Sequence, residues 1–285
     1  SLYNYLKNHP EIYLCPIKEP NFFNKELKFT DCRKDIQKAI FIDFEKYFSN
    51  SKLAEKHSAC IDDYRNYKML FREVKNEKIL GDFSTSYLSS KFAPSEIYNY
   101  NPNSKIIIMI REPVSRTLSH YNMDLNLNFN TGNILKDLKE DYNSNKKGYF
   151  ISNNYIDLSL YYENIKHYLK FFKKEQILII KFEDFISRKS ISLENICNFL
   201  SIDYKLLSKN NLEIHNKTYV PKTKIIASIR RYIPGKIVSK INFLKPFFYK
   251  TPNKKHVNVN VVEYINSLVK EDYSKTNLLL DEINK

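Results

Sequence analysis

The chain has 285 residues, 42% of them hydrophobic, with 46 lysines and arginines against 32 aspartates and glutamates and a formal net charge of +14. This composition excludes a disordered chain, the length suits one large α/β domain, and no apolar run approaches membrane-spanning length. The charge implies an anionic partner: a nucleotide, an acidic glycan, nucleic acid or an anionic membrane surface. Short basic runs such as Lys173 with Lys174 and Arg230 with Arg231 read more readily as solvated faces than as a binding surface. Cys15, Cys32, Cys60 and Cys197 lack metal-ligand spacing and fit thiols of a reducing compartment better than two disulfides, although an even count leaves both open. His9, His57, His167, His215 and His256 show no metal spacing either.

In chain order, Leu2, Tyr5 and Leu6 mark an amphipathic helix that ends before Pro10. Pro16 and Pro20 bracket Glu19 and predict a short stiff turn for it, outside any regular element. Helices are expected over 35–48 and 61–71, a strand over 78–83, and a helix over 93–100 that ends before Pro102. Ile106, Ile107, Ile108, Met109 and Ile110 form a continuous apolar run suited to a parallel strand covered on both faces. Helices follow from Glu112 through Tyr121 and over 134–142 and 158–172, with another buried strand over 177–182. Beyond Leu200 the pattern weakens, and 223–232, 236–241 and 261–283 read as helices. Strands alternating with helices predict a parallel α/β sheet.

The junction after Ile110 carries the clearest chemistry. Arg111 stands at the carboxyl end of the strand and Pro113 suits the first turn of a helix, so the helix amides are expected to face the strand end. Ligands of open α/β sheets bind there, and a helix N-terminus with an arginine fork favours a phosphate. Ser115 and Ser119, four apart on one helix face, could each add a hydroxyl to the same anion. In isolation this pattern reads equally as an arginine bound to a neighbouring carboxylate beside two solvated serines.

The same segment, with Arg111, Pro113, Arg116, Ser119, His120 and Tyr121, resembles the 3'-phosphate-binding segment of sulfotransferases that use 3'-phosphoadenosine 5'-phosphosulfate (PAPS). The branch it resembles contains the heparan sulfate sulfotransferases and their bacterial relatives. Three further segments match in order. Ser1 to Phe23 is similar to the family's first helix and the strand leading to a catalytic glutamate in a Lys-Glu-Pro context, here Lys18, Glu19 and Pro20. GDFSTSYL, from Gly81, is similar to Gly-Glu-x-Ser-Pro-x-Tyr-Leu, and Leu160 to Phe185 is similar to the family's helix, strand and Glu-Asp-aromatic turn.

The resemblance implies the P-loop-like sulfotransferase fold as a single domain over 1–285, with 200–285 as a helical C-terminal part. It implies PAPS as donor, no metal, and a hydroxyl or amine acceptor on a carbohydrate. Glu19 would be the general base, and Arg111 and Ser119 would bind the 3'-phosphate, helped by Ser115. Beside Glu19, Lys18 reads either as raising the local positive potential or, the commoner fate, as facing solvent, and Ser84 and Thr85 read equally as orienting acceptor or sulfate and as capping the next helix. Lys217 and Lys222, with Asn216, fall where the family covers the nucleotide. His120 is expected to be packed rather than catalytic.

Three departures accompany the matches. The family's Lys-x-Gly-Thr-Thr loop for the 5'-phosphosulfate is absent, so the chain is expected to be an N-terminally truncated domain. Asn21 and Asn24 stand where some members carry histidine and aspartate, and Phe83 stands where some carry lysine. A cytoplasmic location is expected for a bacterial protein and a Golgi lumen for a eukaryotic one. The alternatives are an inactive fragment, or a basic module binding acidic glycan or nucleic acid without catalysis, for which no basic stripe interleaved with aromatics is evident. A P-loop kinase would need an acidic strand end for Mg²⁺, and only Glu183 and Asp184 offer one.

Overall fold

The structure, a computed structural model, describes residues 2–127, 129–207, 220–221, 249–250 and 258–283. The expected helices over 223–232 and 236–241, and Asn216, Lys217 and Lys222, lie outside the described residues.

After α1 (Leu2–Leu6), the chain runs through β1 (Ile12–Leu14) and β2 (Ile17–Glu19). The two are one extended path interrupted at Cys15 and Pro16, where the hydrogen-bond partner changes. β1 pairs in parallel with β4 (Ile79–Gly81), and β2 pairs in parallel with β3 (Lys56–Ser58), a strand the sequence did not suggest. Pro16 cannot donate, but its carbonyl accepts from the Lys56 amide at 3.0 Å, so the exchange of partners leaves the backbone satisfied. Glu19 therefore ends a strand, which corrects the expected irregular turn. Its carbonyl accepts from the Ala59 amide at 2.9 Å, and that of Pro20 accepts from Ile61 at 3.1 Å, so pairing continues to the proline.

The helix expected over 35–48 is two: α2 (Lys34–Ile40) and α3 (Phe44–Phe48). Asp43 divides them, because its carboxylate takes the Lys46 amide at 3.0 Å and starts a new helix. Asp63 does the same for α4 (Tyr64–Met69), shortening the helix expected over 61–71. Helix α5 (Ala93–Tyr100) and α7 (Ile134–Tyr142) have the expected bounds, and α6 (Pro113–Asn126) begins at the expected proline. The segment expected as a helix over 158–172 is a 3-10 turn (Asp157–Ser159) followed by α8 (Tyr162–Leu169). Helices α9 (Phe182–Ser187), α10 (Lys189–Leu200) and α11 (Val259–Ile283) complete the set, with a short antiparallel pair between β7 (Val220–Pro221) and β8 (Tyr249–Lys250). Among the described residues no helix is long and apolar enough to cross a membrane.

The centre is β5 (Ile106–Ile110) paired in parallel with β6 (Ile177–Lys181) over five residues each. Alternate side chains of the two strands enter different cores. Ile106, Ile108, Ile110, Ile177 and Ile179 join a cluster with Ile17, Ile165, Tyr168, Phe172 and, from α11, Leu280. Ile107, Met109, Leu178 and Ile180 face the other way, against Leu6 of α1, Phe185 of α9, and Leu193 and Ile196 of α10. The uninterrupted apolar run in the sequence is thus explained by burial on both faces. Helix α11 closes a third cluster through Val261, Ile265 and Val269, spaced four apart, against Tyr121, Leu138 and Tyr155. Farther along α11, Asp272 accepts from the Tyr161 amide at 2.7 Å at the start of α8.

Just past β4, Asp82 ties three segments together. Its carboxylate accepts from Ser84 Oγ at 2.8 Å, from Tyr87 Oη at 2.8 Å and from Tyr67 Oη of α4 at 3.2 Å. Burial pushes its carboxyl up to about 6, outweighing the three hydrogen bonds that favour the charged form.

Two outcomes follow for stability. Leu193 is fully enclosed, and Leu193→Ala is expected to lower the unfolding free energy by about 2–5 kcal/mol in denaturant titration; a loss under about 1 kcal/mol would mean that α10 repacks freely. For Asp82, the unfolded chain ionises near the ordinary value of 3.8 and the folded protein only near 6, so ionisation in between favours the unfolded state. The parent is therefore expected to lose stability relative to Asp82→Asn as pH rises from about 4 to about 6, with no further change above that. A stability difference constant across this window would remove Asp82 as the titrating group.

Candidate active site

The end of β2 places Glu19, 6% exposed, against a compact polar cluster. The chain turns immediately after it at Asn21, whose φ of 56° lies in the left-handed region that asparagine tolerates better than most side chains. Every polar group of Asn21's side chain is used to hold this corner. Its Nδ2 donates to the Glu19 carbonyl at 2.8 Å, to the Ala59 carbonyl at 2.8 Å and to Ser58 Oγ at 3.2 Å, and its Oδ1 accepts from Ser86 Oγ at 2.6 Å. Its amide donates to Ser84 Oγ at 3.1 Å. Asn24 accepts from the Leu27 amide at 3.2 Å. Both asparagines noted as departures are thus turn-forming residues.

Around the Glu19 carboxylate, Lys18 Nζ lies 3.5 Å from Oε1, and Tyr149 Oη donates to Oε2 over 3.4 Å. Thr85 Oγ1 is 2.6 Å from the same phenol oxygen. Ser84 sits behind this group, accepting from Asn21 and donating to Asp82. The structure therefore brings Lys18, Glu19, Ser84 and Thr85 into one neighbourhood. Thr85 is exposed, whereas Ser84 is engaged on both sides.

The second part of the site is the junction of β5 and α6. Tyr161 Oη donates to the Arg111 carbonyl at 2.9 Å, fixing the strand end, and the Arg111 guanidinium lies 5.0 Å from the centre of the Phe182 ring. Arg111 Nε is buried without a hydrogen-bond partner. The helix amides expected to face an anion are not free. Glu112 caps α6, and its carboxylate accepts from Val114 at 2.9 Å and from Ser115 at 2.7 Å. An anion here would rest on the Arg111 side chain and on hydroxyls, not on those amides. Ser115 and Ser119 share one face of α6, with Ser119 exposed.

Arg116 connects the two parts. It is half-buried on α6, donates to the Tyr155 carbonyl at 3.0 Å, and lies within electrostatic reach of Tyr149, Tyr161 and Arg111; desolvation lowers its pKa. It also contacts His120 Nδ1 at 3.3 Å. Burial first, and then Arg116 and Arg33, push His120 down to about 3, so the imidazole is neutral. Its ring packs edge-on to Tyr155 at 5.0 Å, the packed state expected from sequence. Tyr149 is the functional candidate that sequence reasoning missed. It sits in an aperiodic loop far along the chain from Glu19, and only the preceding Gly148 hinted at a special backbone. Among the described residues no group of three or more His, Cys, Asp or Glu could hold a metal ion.

Comparison with known proteins supplies the context for this geometry. The sulfotransferase domain family matches residues 7–276. Two human proteins, heparan sulfate glucosamine 3-O-sulfotransferase 3B1 and 3A1, are each 23% identical over 172 residues, covering 60% of this chain and 43% and 41% of theirs. The match thus spans less than half the length of these curated relatives. A crystal structure of a sulfotransferase from Alicyclobacillus acidocaldarius has the same fold, with a TM-score of 0.59 and 23% identity over 86% of this chain and 90% of that chain. The family match runs from just after α1 into α11 and takes in the Glu19 turn, the Asp82 junction and the Arg111 strand end, and the chain belongs to the sulfotransferase domain family.

Proposed function

We propose that this protein transfers a sulfuryl group from PAPS to a hydroxyl or amine of a carbohydrate, with Glu19 as general base and Arg111 and Ser119 binding the 3'-phosphate. The observation that carries this reading is the Glu19 carboxylate, held at a strand end with an ammonium at one oxygen and a phenol at the other. Family membership supports the reaction class and the donor. The human relatives named for heparan sulfate glucosamine support a glycan acceptor.

The nucleotide half of the site fits an anion on its own terms. Arg111 Nε is a buried donor without an acceptor, beside an aromatic face that holds the guanidinium plane. Ser119 and Ser115 add hydroxyls from the same helix face. When bound, PAPS supplies the sulfuryl group and a stable nucleotide leaving group. Glu19 removes the proton of the acceptor hydroxyl or amine, within hydrogen-bond reach and in an orientation fixed by its neighbours. Lys18 raises the positive potential at that point, and Thr85, an exposed residue bonded to the Tyr149 phenol that reaches the carboxylate, has lone pairs left to orient an acceptor hydroxyl. Ser84 supports this group through Asn21 and Asp82.

Calorimetric titration with adenosine 3',5'-bisphosphate and with 5'-AMP tests the nucleotide half. The bisphosphate is expected to bind more tightly, and Arg111→Ala is expected to weaken it about 10- to 100-fold while barely altering 5'-AMP, the loss expected for a hydrogen-bonded charge pair. Equal binding of both nucleotides, or an unchanged Arg111→Ala, would overturn the assignment. For the base, Glu19→Gln is expected to lower kcat for sulfate transfer from PAPS to heparan sulfate by about 10²- to 10⁴-fold with bisphosphate affinity retained. Turnover at the parent rate would remove Glu19 from that role.

A further inference from the structure

We propose that Tyr149 is a positioning residue for Glu19: its phenol, delivered by the loop after α7, holds the carboxylate in the orientation from which it takes the acceptor's proton. This rests on the reading of Glu19 as the general base.

The loop is built to place one side chain. Gly148, with φ of 156°, and Phe150 and Asn154, with φ of 66° and 52°, all have positive backbone angles, a concentration of conformations that most L-residues avoid. The surroundings hold it there. The Asp141 carboxylate, from α7, accepts from the amides of Asn153, Asn154 and Tyr155 at 3.0, 3.2 and 2.9 Å. Asn154 Nδ2 donates to the Gly148 carbonyl at 2.7 Å, closing the loop on itself, and the Arg33 amide donates to the Phe150 carbonyl at 3.2 Å. Tyr149 projects from between Gly148, which adopts its positive φ freely, and the strained Phe150, its ring centre 4.5 Å from that of Phe150.

The hydrogen-bond sense follows from proton counting. The phenol donates its one proton to Oε2, so Thr85 Oγ1 donates to the phenol oxygen. Burial and the Glu19 charge both push the Tyr149 phenol well above its ordinary value, so it remains a donor across the working pH range. The Oη to Oε2 separation of 3.4 Å is longer than the usual hydroxyl bond, as is common for catalytic contacts before substrate arrives. With Lys18 at Oε1 and Tyr149 at Oε2, rotation of the carboxylate is restrained from both sides. Phenylalanine at 149 would keep the ring and its packing and remove only this restraint.

The test compares the parent with Tyr149→Phe, Glu19→Gln and the double variant in two measurements. In sulfate transfer from PAPS to heparan sulfate, Tyr149→Phe is expected to lower kcat about 10-fold with KM for PAPS held within about twofold, and to add nothing in the Glu19→Gln background. In ¹³C NMR of protein labelled at the glutamate δ-carbons, the Glu19 resonance, identified by its loss in Glu19→Gln, is expected to move in Tyr149→Phe. Full kcat in Tyr149→Phe beside an inactive Glu19→Gln leaves the base standing and overturns the positioning role. Equal losses in kcat and in PAPS affinity mark a structural effect and overturn it too. An active Glu19→Gln removes the base and this proposal together. If the parent transfers nothing to heparan sulfate, whether through the acceptor or the missing 5'-phosphosulfate loop, the NMR comparison decides alone, with an unmoved Glu19 resonance overturning the proposal.

Discussion

Burial of both faces of β5 and β6 is the constraint from which the remaining arrangement follows. Alternate residues of these strands enter two separate cores, one closed by α1, α9 and α10 and the other sharing Ile165 of α8 and Leu280 of α11. A strand pair enclosed in this way can offer polar chemistry only where it ends. Arg111 follows directly on Ile110 at such an end, and Glu19 terminates β2 at another. The exchange of pairing at Cys15 and Pro16 lets a single extended path serve two partner strands and still deliver a carboxylate at its end.

The polar cluster around Glu19 shows how a small number of hydrogen bonds can set a geometry that no single element would hold. Asn21 adopts a left-handed backbone and satisfies its side chain entirely within the corner, joining β2, the end of β3 and the turn after β4. Asp82 anchors the same turn from below through Ser84 and Tyr87. Asn21 is buried, and its bonds to the Glu19 and Ala59 carbonyls hold the main chain at this corner. Tyr149 and Lys18 act on the Glu19 carboxylate. Such a division of labour, with one set of residues placing the main chain and another restraining the side chain, suits a reaction that depends on alignment.

Much of the fold was legible in the sequence. The apolar run from Ile106 to Ile110, the arginine and proline after it, and the bounds of α5 and α7 all follow from periodicity and from the conformational limits of proline. Legibility failed where local hydrogen bonding competed with periodicity. Asp43 divides what reads as one helix, and Asp63 delays the start of another, because a short carboxylate offers the backbone amides an alternative partner. Glu112 was read as a helix start, but its capture of the Val114 and Ser115 amides depends on a side-chain orientation that sequence does not specify. β3 was missed because three residues with two exposed side chains carry no pattern, and pairing with β2 alone makes them a strand.

The sequence by itself determined the α/β class and the strand-to-helix junction at Arg111, because these rest on local chemistry, side-chain period and the limits of proline; Lys18, Glu19, Ser84 and Thr85 came into one group only through the family resemblance of two separate short segments. Tertiary structure alone decided that Tyr149 meets Glu19, that Arg116 comes within electrostatic reach of Tyr149 and Arg111, and that Asn21 is spent on a backbone corner. Those contacts join segments far apart in the chain. Their partners are selected by how the helices pack on the two faces of the strands, and no local periodicity encodes that choice.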